Sequence, residues 1–323
     1  MRKFASLGLL LGTLSVAGGL AWLLFYSPAG ETVRVEIPSG ASASGTASLL
    51  RREGVIRSVR LFKVCAKLTH LDRSLKPGRY AFRRGMPVVK VLRLLHEGAT
   101  ERIKVVVPEG FMARQIADRL EALGVAPSAG FMAYVQRNNL EGYLFPETYL
   151  FDQGLTPERV AHHMHMEFRR LVEPEFRAAG QTRFTLRQVV TLASIVQREA
   201  RLSSEMPMIA AVYQNRLRKR IRLEADPTVQ YALGRTTGQW KKGLTYADLR
   251  FQSPYNTYAN FGLPPGPICS PGLDAVRAVL HPAETEAIYF VADNTGGHAF
   301  TSTLDEHNKA KRKAKRERLL QQK

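Results

Sequence analysis

Residues 186–200 read LRQVVTLASIVQREA, and their pattern predicts the helix around which the chain folds. Apolar residues recur in this stretch at the spacing that places them on one side of a helix, namely Leu186, Val189, Val190, Ala193 and Ala200. Another side is expected to be polar and is formed by Arg187, Thr191, Ser194 and Arg198. A helix with this pattern is expected to bury its apolar side in the core of a domain.

Glu199 lies near the end of this predicted helix and on neither of these two sides. At about 100° per residue it stacks with a second apolar surface, formed by Leu192, Ile195 and Val196. Apolar neighbours disfavour the charged form of a carboxyl group, so they raise its pKa and keep it a proton donor near neutral pH. Glu199 is therefore a candidate acid catalyst. The alternative for a lone glutamate is a salt-bridged or solvent-facing side chain at a frayed helix end.

The chain has 323 residues and a formal net charge of +19. This length is sufficient for two domains, and the positive charge predicts an acidic partner: nucleic acid, anionic lipid or an anionic polymer. The only two cysteines, Cys65 and Cys269, exclude a disulfide framework and a zinc site built on cysteine spacing. Two separate buried thiols are expected, although a pairing between them stays open.

A long uncharged segment follows the first three residues. It covers residues 4–25, and these 22 residues would span about 30 Å of hydrocarbon as a helix. Trp22 and Tyr26 lie near its far end, where aromatic side chains favour the membrane interface. We therefore predict an uncleaved transmembrane anchor over residues 4–26.

A cleaved signal peptide is the alternative to this anchor. Its apolar core would be shorter, and the residues 27–30, SPAG, make a poor cleavage site. The positive N-terminus, residues 1–3, is expected to stay in the cytoplasm and the rest of the chain to lie outside. This location argues against a nucleic-acid partner and leaves anionic lipid and the cell wall.

A short repeat with a period of 70 residues follows the anchor. VEIPSG at residues 35–40 recurs as VVVPEG at residues 105–110, and the apolar and glycine positions behind it recur as well. Each copy predicts a strand, a Pro-x-Gly turn, an amphipathic helix and a glycine stop. With the helices and the strand predicted between the copies, residues 31–100 are expected to form a small α+β module.

Residues 140–151, LEGYLFPETYLF, combine aromatic rings with two carboxylates, Glu141 and Glu147. Rings and carboxylates together are typical of a sugar-binding surface, and the alternative is a well-packed loop. The predicted helix that follows, residues 157–179, contains three histidines. No carboxylate or cysteine completes a ligand set, so we predict no metal ion.

The second half of the chain carries a basic run and several loop segments. Five cations lie within residues 216–222, which indicates a solvated face or attraction to an anionic polymer. DPTVQY at residues 226–231 precedes a predicted loop that ends near residue 244. SPYNTY at residues 253–258 and GLPPGP at residues 262–267 are long polar and aromatic loops, of a kind that a compact domain seldom keeps unless they line a site.

Seven segments occur in a fixed order along the chain. They are LEGYLFPETY (140–149), ASIVQRE (193–199), NRL (215–217), ADPTVQY (225–231), SPYNTY (253–258), GLPPGPI (262–268), and GGHAF with EHN (296–308). Each is weak alone, but the ordered set is specific and resembles the YceG-like family of endolytic murein transglycosylases over nearly the whole chain. The resemblance implies an α+β fold with a single transmembrane helix, a LysM-like module at residues 31–100, a mixed α+β catalytic domain at residues 101–308 and a basic tail at residues 309–323.

The sequence departs from the family pattern at two positions. The family motif at the central helix resembles ASIVEKE, and its catalytic acid is the second glutamate, which corresponds to Glu199. Gln197 replaces the first glutamate, which leaves one acid in the motif. Glu224 stands where glutamine is common, which puts a second carboxylate near the expected site or on its rim.

The resemblance implies cleavage of the β-1,4 bond between N-acetylmuramic acid and N-acetylglucosamine, with no cofactor. Ordinary glycosidases use two carboxyl groups, whereas a lytic transglycosylase works with one. Glu199 would protonate the glycosidic oxygen and then take a proton from the muramic C6 hydroxyl, which attacks C1 and leaves a 1,6-anhydro end. Candidates to hold the N-acetyl group and stabilise charge are Ser253, Tyr255, Asn256 and Tyr258. Candidates to orient Glu199 or the sugar are Asp226, Gln230 and Glu147.

Three other functions stay open. A muramidase would use Asp226 or Glu224 as a second carboxylate and would leave a reducing end. A non-catalytic scaffold would bind the wall through the LysM-like module. A protein that binds nucleic acid or anionic lipid would lose affinity steeply with salt.

The expected partners follow from the resemblance and the anchor. They are peptidoglycan glycan strands and the inner membrane, the latter through residues 4–26, and peptidoglycan synthases are further candidates. No nucleic acid is expected. The implied location is the cell inner membrane with the catalytic domain in the periplasm, where the enzyme would terminate nascent strands.

Overall fold

A computed structural model describes residues 30–98, 102–152, 155–294 and 296–321. The chain divides into two compact units, Met1–Ile103 with Phe151–Gly154, and Lys104–Leu150 with Leu155–Lys323. Across the described ranges, no helix combines the length and the apolar character needed to cross a membrane. The anchor predicted over residues 4–26 lies outside the described residues.

Two strands and three helices make up residues 30–98 of the first unit. They are β1 (Thr32–Ile37), α1 (Ala43–Arg52), α2 (Val59–Leu68), β2 (Gly78–Arg83) and α3 (Val88–Glu97). The strands β1 and β2 pair antiparallel, with Thr32 opposite Arg83. Alternate side chains of both strands, such as Val35 and Phe82, point into a core that also contains the buried faces of the three helices.

The predicted repeat of a strand, a turn and a helix is confirmed. The strand β3 (Arg102–Val106) and the helix α4 (Ala113–Ala122) begin 70 residues after β1 and α1. In both copies a glycine follows the strand at positive φ, +77° at Gly40 and +76° at Gly110. Because side chains with a Cβ rarely adopt this backbone conformation, the glycine of the Pro-x-Gly pattern fixes the turn in each copy.

The rest of the chain is mainly helical. The remaining elements are α5 (Ser128–Arg137), β4 (Thr148–Asp152), α6 (Pro157–Ala178), α7 (Leu186–Glu199), α8 (Met206–Arg218), α9 (Asp226–Gly234), α10 (Leu273–Leu280), β5 (Tyr289–Ala292), β6 (His298–Thr301) and α11 (Leu304–Gln321). The strand β3 pairs with β4, and β5 pairs antiparallel with β6. The predicted α+β class is confirmed by these helices and small sheets. The helix α9 covers the whole of DPTVQY and ends at Gly234, three residues into the predicted loop.

The helix α7 is the centre of the second unit and packs against α8 and α10. Every residue from 189 to 196 is buried, so the polar side predicted for this helix is wrong at Thr191 and Ser194. The Thr191 hydroxyl donates to the carbonyl of Arg187 at 2.7 Å, which satisfies it within the helix. The Ser194 hydroxyl donates to the carbonyl of Thr191 and accepts from the N–H of Ile268 at 3.0 Å. These hydrogen bonds offset the cost of burying both hydroxyl groups.

Candidate active site

Glu199 is the last residue of α7, and its side chain is only partly buried. The helix begins at a capping box, in which the backbone N–H groups of Thr185 and Gln188 each bind the other's side chain. Burial raises the pKa of Glu199 from 4.5 to about 7. A carboxyl group with this pKa is often protonated at neutral pH, and its partial exposure leaves it accessible to a ligand.

Tyr213 of α8 holds the carboxyl group of Glu199. Its hydroxyl donates a hydrogen bond to Oε1 of Glu199 at 2.8 Å, and this bond lowers the pKa of Glu199 against the larger effect of burial. Tyr213 is 2% exposed, and burial together with the nearby carboxyl raises its own pKa well above 10. Phe290 of β5 packs edge-on against the Tyr213 ring, with 5.7 Å between ring centroids. The Tyr213 hydroxyl is therefore a fixed proton donor to Glu199.

Asp226 and Tyr258 lie beside Glu199. Asp226 is the first residue of α9, and the Tyr258 hydroxyl donates to its Oδ1 at 2.7 Å. The negative charge of Asp226 contributes to the raised pKa of Glu199. The structure thus brings together three of the residues that the sequence singled out: Glu199, Asp226 and Tyr258.

A buried arginine, Arg216, adds a positive charge near Glu199. Arg216 of α8 pairs with Glu224 at 3.2 Å, with its own side chain 10% exposed and that of Glu224 47% exposed. The same guanidinium donates to the carbonyl of Ile288 at 2.7 Å and contacts the carbonyls of residues 222 and 223 at 3.0 Å. The positive charge of Arg216 lowers the pKa of Glu199. Glu224, expected near the site or on its rim, is therefore held in an ion pair.

Asn256 does not present its amide to a substrate, in contrast to the expectation. The residue is completely buried, and its Nδ2 donates to the carbonyls of Leu249 and Phe251 at 2.9 and 2.8 Å. Its Oδ1 accepts the backbone N–H of Tyr258 at 2.9 Å. Asn256 therefore shapes the loop that positions Tyr258.

Ser253 and Gln230 also bind the backbone of their surroundings. Ser253 is partly exposed, and its Oγ accepts the N–H of Tyr255 at 3.2 Å. Gln230 lies one helical turn after Asp226 on α9, and its Nε2 donates to the carbonyl of Lys241 at 2.7 Å. Their predicted contacts with a sugar stay predictions.

Tyr255 lies in a second cluster, which surrounds the partly buried carboxyl group of Glu141. The Tyr255 ring packs at 4.9 Å between centroids on Tyr231, whose hydroxyl donates to Oε2 of Glu141 at 3.2 Å. Oε1 of Glu141 accepts the N–H of Ala113 at the start of α4, at 2.9 Å. Burial raises the pKa of Glu141 to about 7.

Glu147 lies elsewhere, next to α6. Its side chain is exposed, and its electrostatic neighbours are Glu167, Arg170 and His163. Burial and then the charge of Glu167 raise the pKa of Glu147. No recorded contact joins Glu147 to Glu199, Asp226 or Tyr258.

Gln197, which replaces the first glutamate of the family motif, faces another helix. Its Oε1 accepts the N–H of Gly272, the N-cap of α10, at 2.9 Å. The side chain thus stabilises helix packing.

Over the ranges described, no group of three or more His, Cys, Asp or Glu side chains is arranged to hold a metal ion. Cys65 and Cys269 are both free thiols.

Sequence reasoning missed three residues of this region. Arg216 falls in the NRL segment, but it was counted only as one of five cations. Glu141 shares its segment with Glu147, and nothing in the local sequence indicates which of the two is buried. Tyr213 carries no sequence signal beyond its position one helical turn before Arg216, because only the packing of α7 on α8 directs its hydroxyl at Glu199.

Comparison with known proteins identifies relatives that match most of this chain. The profile of the YceG-like family matches residues 35–313. An endolytic murein transglycosylase of Bacillus subtilis is 34% identical over 309 residues, which cover 87% of this chain and 84% of that protein. One from Streptococcus pneumoniae is 28% identical over 312 residues, and there the match covers 56% of the relative.

A solved structure adds agreement in the fold. The crystal structure of a YceG-like protein from Listeria monocytogenes is 33% identical, with a TM-score of 0.58. The match covers 87% of this chain and 99% of that one. The family profile covers most of the chain, and the similar crystal structure agrees with that match. The carboxyl group of Glu199 and its neighbours fit the same assignment. The chain belongs to the YceG-like family.

Proposed function

We propose that this protein is an endolytic peptidoglycan lytic transglycosylase with Glu199 as its catalytic acid and base. It cleaves the β-1,4 bond between N-acetylmuramic acid and N-acetylglucosamine in glycan strands. Its relatives in Bacillus subtilis and Streptococcus pneumoniae bear the name endolytic murein transglycosylase, which supports the substrate class. The observation that carries the proposal is the partly exposed Glu199, with its pKa of about 7.

The reaction needs one group that gives a proton and then takes one back. Protonated Glu199 donates to the glycosidic oxygen as the bond to C1 breaks. The resulting carboxylate then removes the proton of the muramic C6 hydroxyl, whose oxygen bonds to C1. The product has a 1,6-anhydro end, no water is consumed, and Glu199 is protonated again. A pKa near neutrality suits both steps.

The surrounding residues assist these steps. Tyr213 fixes the orientation of the carboxyl group from the buried side, which leaves the other oxygen for the substrate. Asp226 stays close as a negative charge, and it favours the protonated form of Glu199 before the reaction. The same charge stabilises the positive charge that develops at C1 when the glycosidic bond breaks.

The test is the identity of the product ends. The full chain and its Glu199→Gln variant are incubated with purified glycan strands, and the products are analysed by mass spectrometry. We expect anhydro ends from the native protein, a loss of at least about 100-fold in the variant, and normal cleavage by an exposed-carboxylate control, Glu284→Gln. Cleavage by Glu199→Gln at the native rate would refute the assignment of the acid.

A muramidase is the second candidate, because Asp226 is close enough to influence the pKa of Glu199. In that reaction Asp226 would activate water or bind C1, and the product would have a reducing end. Glu224 is less suited to this role because it is paired with Arg216. If the native protein leaves reducing ends and Asp226→Asn leaves none, the reaction is hydrolysis.

We further propose that residues 4–26 anchor the protein in the inner membrane, with residues 31–323 in the periplasm beside peptidoglycan synthases. The support is the length and lack of charge of that segment. We also propose that residues 31–100 act as a LysM-like module that binds glycan. Membrane fractionation of the full chain, compared with a chain that lacks residues 1–29, tests the anchor: the full chain is expected in the membrane fraction and the shortened one in the soluble fraction.

A further inference from the structure

A pocket of about 480 Å³ lies at the surface of the second unit. It is lined by Leu217, Arg220, Ile221, Phe261 and Gly262, and is called here the Phe261 pocket. The Phe261 residue is 65% exposed, so its ring is accessible to a ligand. The guanidinium of Arg222 stacks on this ring, 4.5 Å from its centroid. The pocket therefore combines an apolar surface with positive charge.

Two chain segments connect this pocket to Glu199. One runs from residue 220 to Asp226 and the other from residue 257 to residue 262, and they lie side by side. Asp226 bonds Tyr258 at 2.7 Å, and the N–H of Ala225 donates to Oγ1 of Thr257 at 3.0 Å. The contact of Arg222 with Phe261 joins the same two segments at the end that lies by the pocket. Tyr258 and Phe261 are three positions apart in the sequence, so their Cα atoms are at most about 11 Å apart.

The positive charges at the pocket have no acidic partner within the described residues. Neither Arg220 nor Arg222 forms an ion pair or a side-chain hydrogen bond with any residue in the described ranges. Glu224, the carboxylate that follows on the same segment, is bound to Arg216. Lys219 points to Glu286 at 3.9 Å. Two guanidinium groups without an acidic partner, that of Arg220 in the pocket lining and that of Arg222 on the Phe261 ring, are thus available to a ligand.

We propose that the Phe261 pocket binds the peptide that a peptidoglycan strand carries on its muramic acid residues, through a carboxylate of that peptide. The proposal rests on the proposed function, which places a muramic residue at Glu199. Guanidinium groups recognise carboxylates with paired, charge-assisted hydrogen bonds. The aliphatic parts of the peptide pack on Leu217, Ile221 and the Phe261 ring. The short distance from Tyr258 fits a peptide attached to the sugar that is being cleaved.

The pocket then determines which strands are cut. A strand with intact peptides gains binding energy in the Phe261 pocket, whereas a strand stripped of peptides by an amidase does not. The native protein is therefore expected to have a higher kcat/KM on strands with peptides. Removal of one guanidinium is expected to reduce this preference about tenfold, the effect of losing one charge-assisted hydrogen bond.

The experiment compares both kinds of strand with the full-length native protein, Arg220→Gln and Phe261→Ser. Lys219→Gln is the matched control, because it removes the same charge from the neighbouring residue, which does not line the pocket. The ratio of kcat/KM on peptide-bearing strands to that on stripped strands is the readout. The proposal expects this ratio to fall in both pocket variants, mainly through KM, and to keep its native value in Lys219→Gln.

Each of the other outcomes contradicts the proposal and shows which part of it is wrong. An equal loss on both kinds of strand shows that the pocket serves the sugar or the fold. A native ratio near one, or an unchanged ratio in both pocket variants, shows that no peptide is recognised there. If the native protein cleaves neither strand, the proposed function itself has failed.

Discussion

The hydroxyl of Tyr213 lies 2.8 Å from Oε1 of Glu199 and donates a hydrogen bond to it. Three effects change the pKa of Glu199, and they do not all act in the same direction. Burial and Asp226 raise the pKa of Glu199, while Tyr213 lowers it. The Tyr213 hydrogen bond and the Asp226 charge can each be removed by a mutation, and the two mutations are expected to shift the pKa of Glu199 in opposite directions.

Replacement of Tyr213 by Phe is expected to move the alkaline limb of the pH–rate profile to higher pH. The variant loses the bond that favours the ionised form of Glu199, so the pKa of Glu199 rises further above its native value of about 7. We also expect kcat to fall about five- to tenfold, because the carboxyl group is less well oriented. Tyr246→Phe, at a tyrosine that is 85% exposed, is the control. A limb that stays in place or moves to lower pH would contradict this account.

Replacement of Asp226 by Asn is expected to move the same limb in the other direction. The negative charge of Asp226 raises the pKa of Glu199, so a neutral amide lets Glu199 ionise at lower pH. The profile of kcat/KM against pH reports this change for the free enzyme. Asp305→Asn, on the exposed first turn of α11, is expected to leave the limb in place. A shift to higher pH after Asp226→Asn would show that its charge does not act on Glu199.

Replacement of Glu199 by Gln is expected to stabilise the fold at alkaline pH while it removes activity. The folded-state pKa of about 7 is above the ordinary value of 4.5, so the native protein loses stability as the pH rises from 4.5 to 7. The variant has no such proton, so its gain in unfolding free energy over the native protein should be about 3 kcal/mol larger at pH 8 than at pH 4. Chemical unfolding at both pH values measures this difference. An equal difference at both pH values would mean that Glu199 is not desolvated.

The pair formed by Arg216 and Glu224 is expected to respond asymmetrically to mutation. Arg216→Met leaves several buried carbonyls without a donor and should cost about 3–5 kcal/mol of unfolding free energy. Glu224→Gln should cost less than about 1 kcal/mol, because the Glu224 side chain is 47% exposed and solvated. Urea unfolding of both variants at one pH measures the two costs. Equal losses would contradict the assignment of Arg216 as the buried member of the pair.

Local sequence patterns were sufficient for most of the individual elements. The apolar spacing of residues 186–200 predicted α7 to within one residue, and the repeated Pro-x-Gly pattern predicted two strand–turn–helix elements. These features depend on the preferences of the local backbone and on periodic burial, which neighbouring residues encode. The pattern was less reliable for Thr191 and Ser194, because hydroxyl groups are buried wherever the helix itself or a neighbour such as Ile268 can pair with them.

The site could be predicted only in part. Glu199 was identified from its apolar neighbours and from the family motif, and Asp226 and Tyr258 from their loop segments. Asn256 looked equally suitable in sequence, but it is turned inward to bind Leu249 and Phe251. The direction of a polar side chain in a loop depends on which backbone groups lack a partner, and that is decided by the path of the folded chain.

The sequence by itself determined the family of this protein, its α+β class, its central helix and the glutamate at the end of that helix. These properties follow from local periodicity and from an ordered set of motifs. Only the tertiary structure decided that Tyr213 bonds Glu199, that Arg216 neutralises Glu224, and that Glu141 is buried. It also decided that Arg222 and Phe261 meet beside the site. Each of these relationships joins side chains from different segments, and the packing of those segments sets both the hydrogen bonds and the pKa of the carboxyl groups.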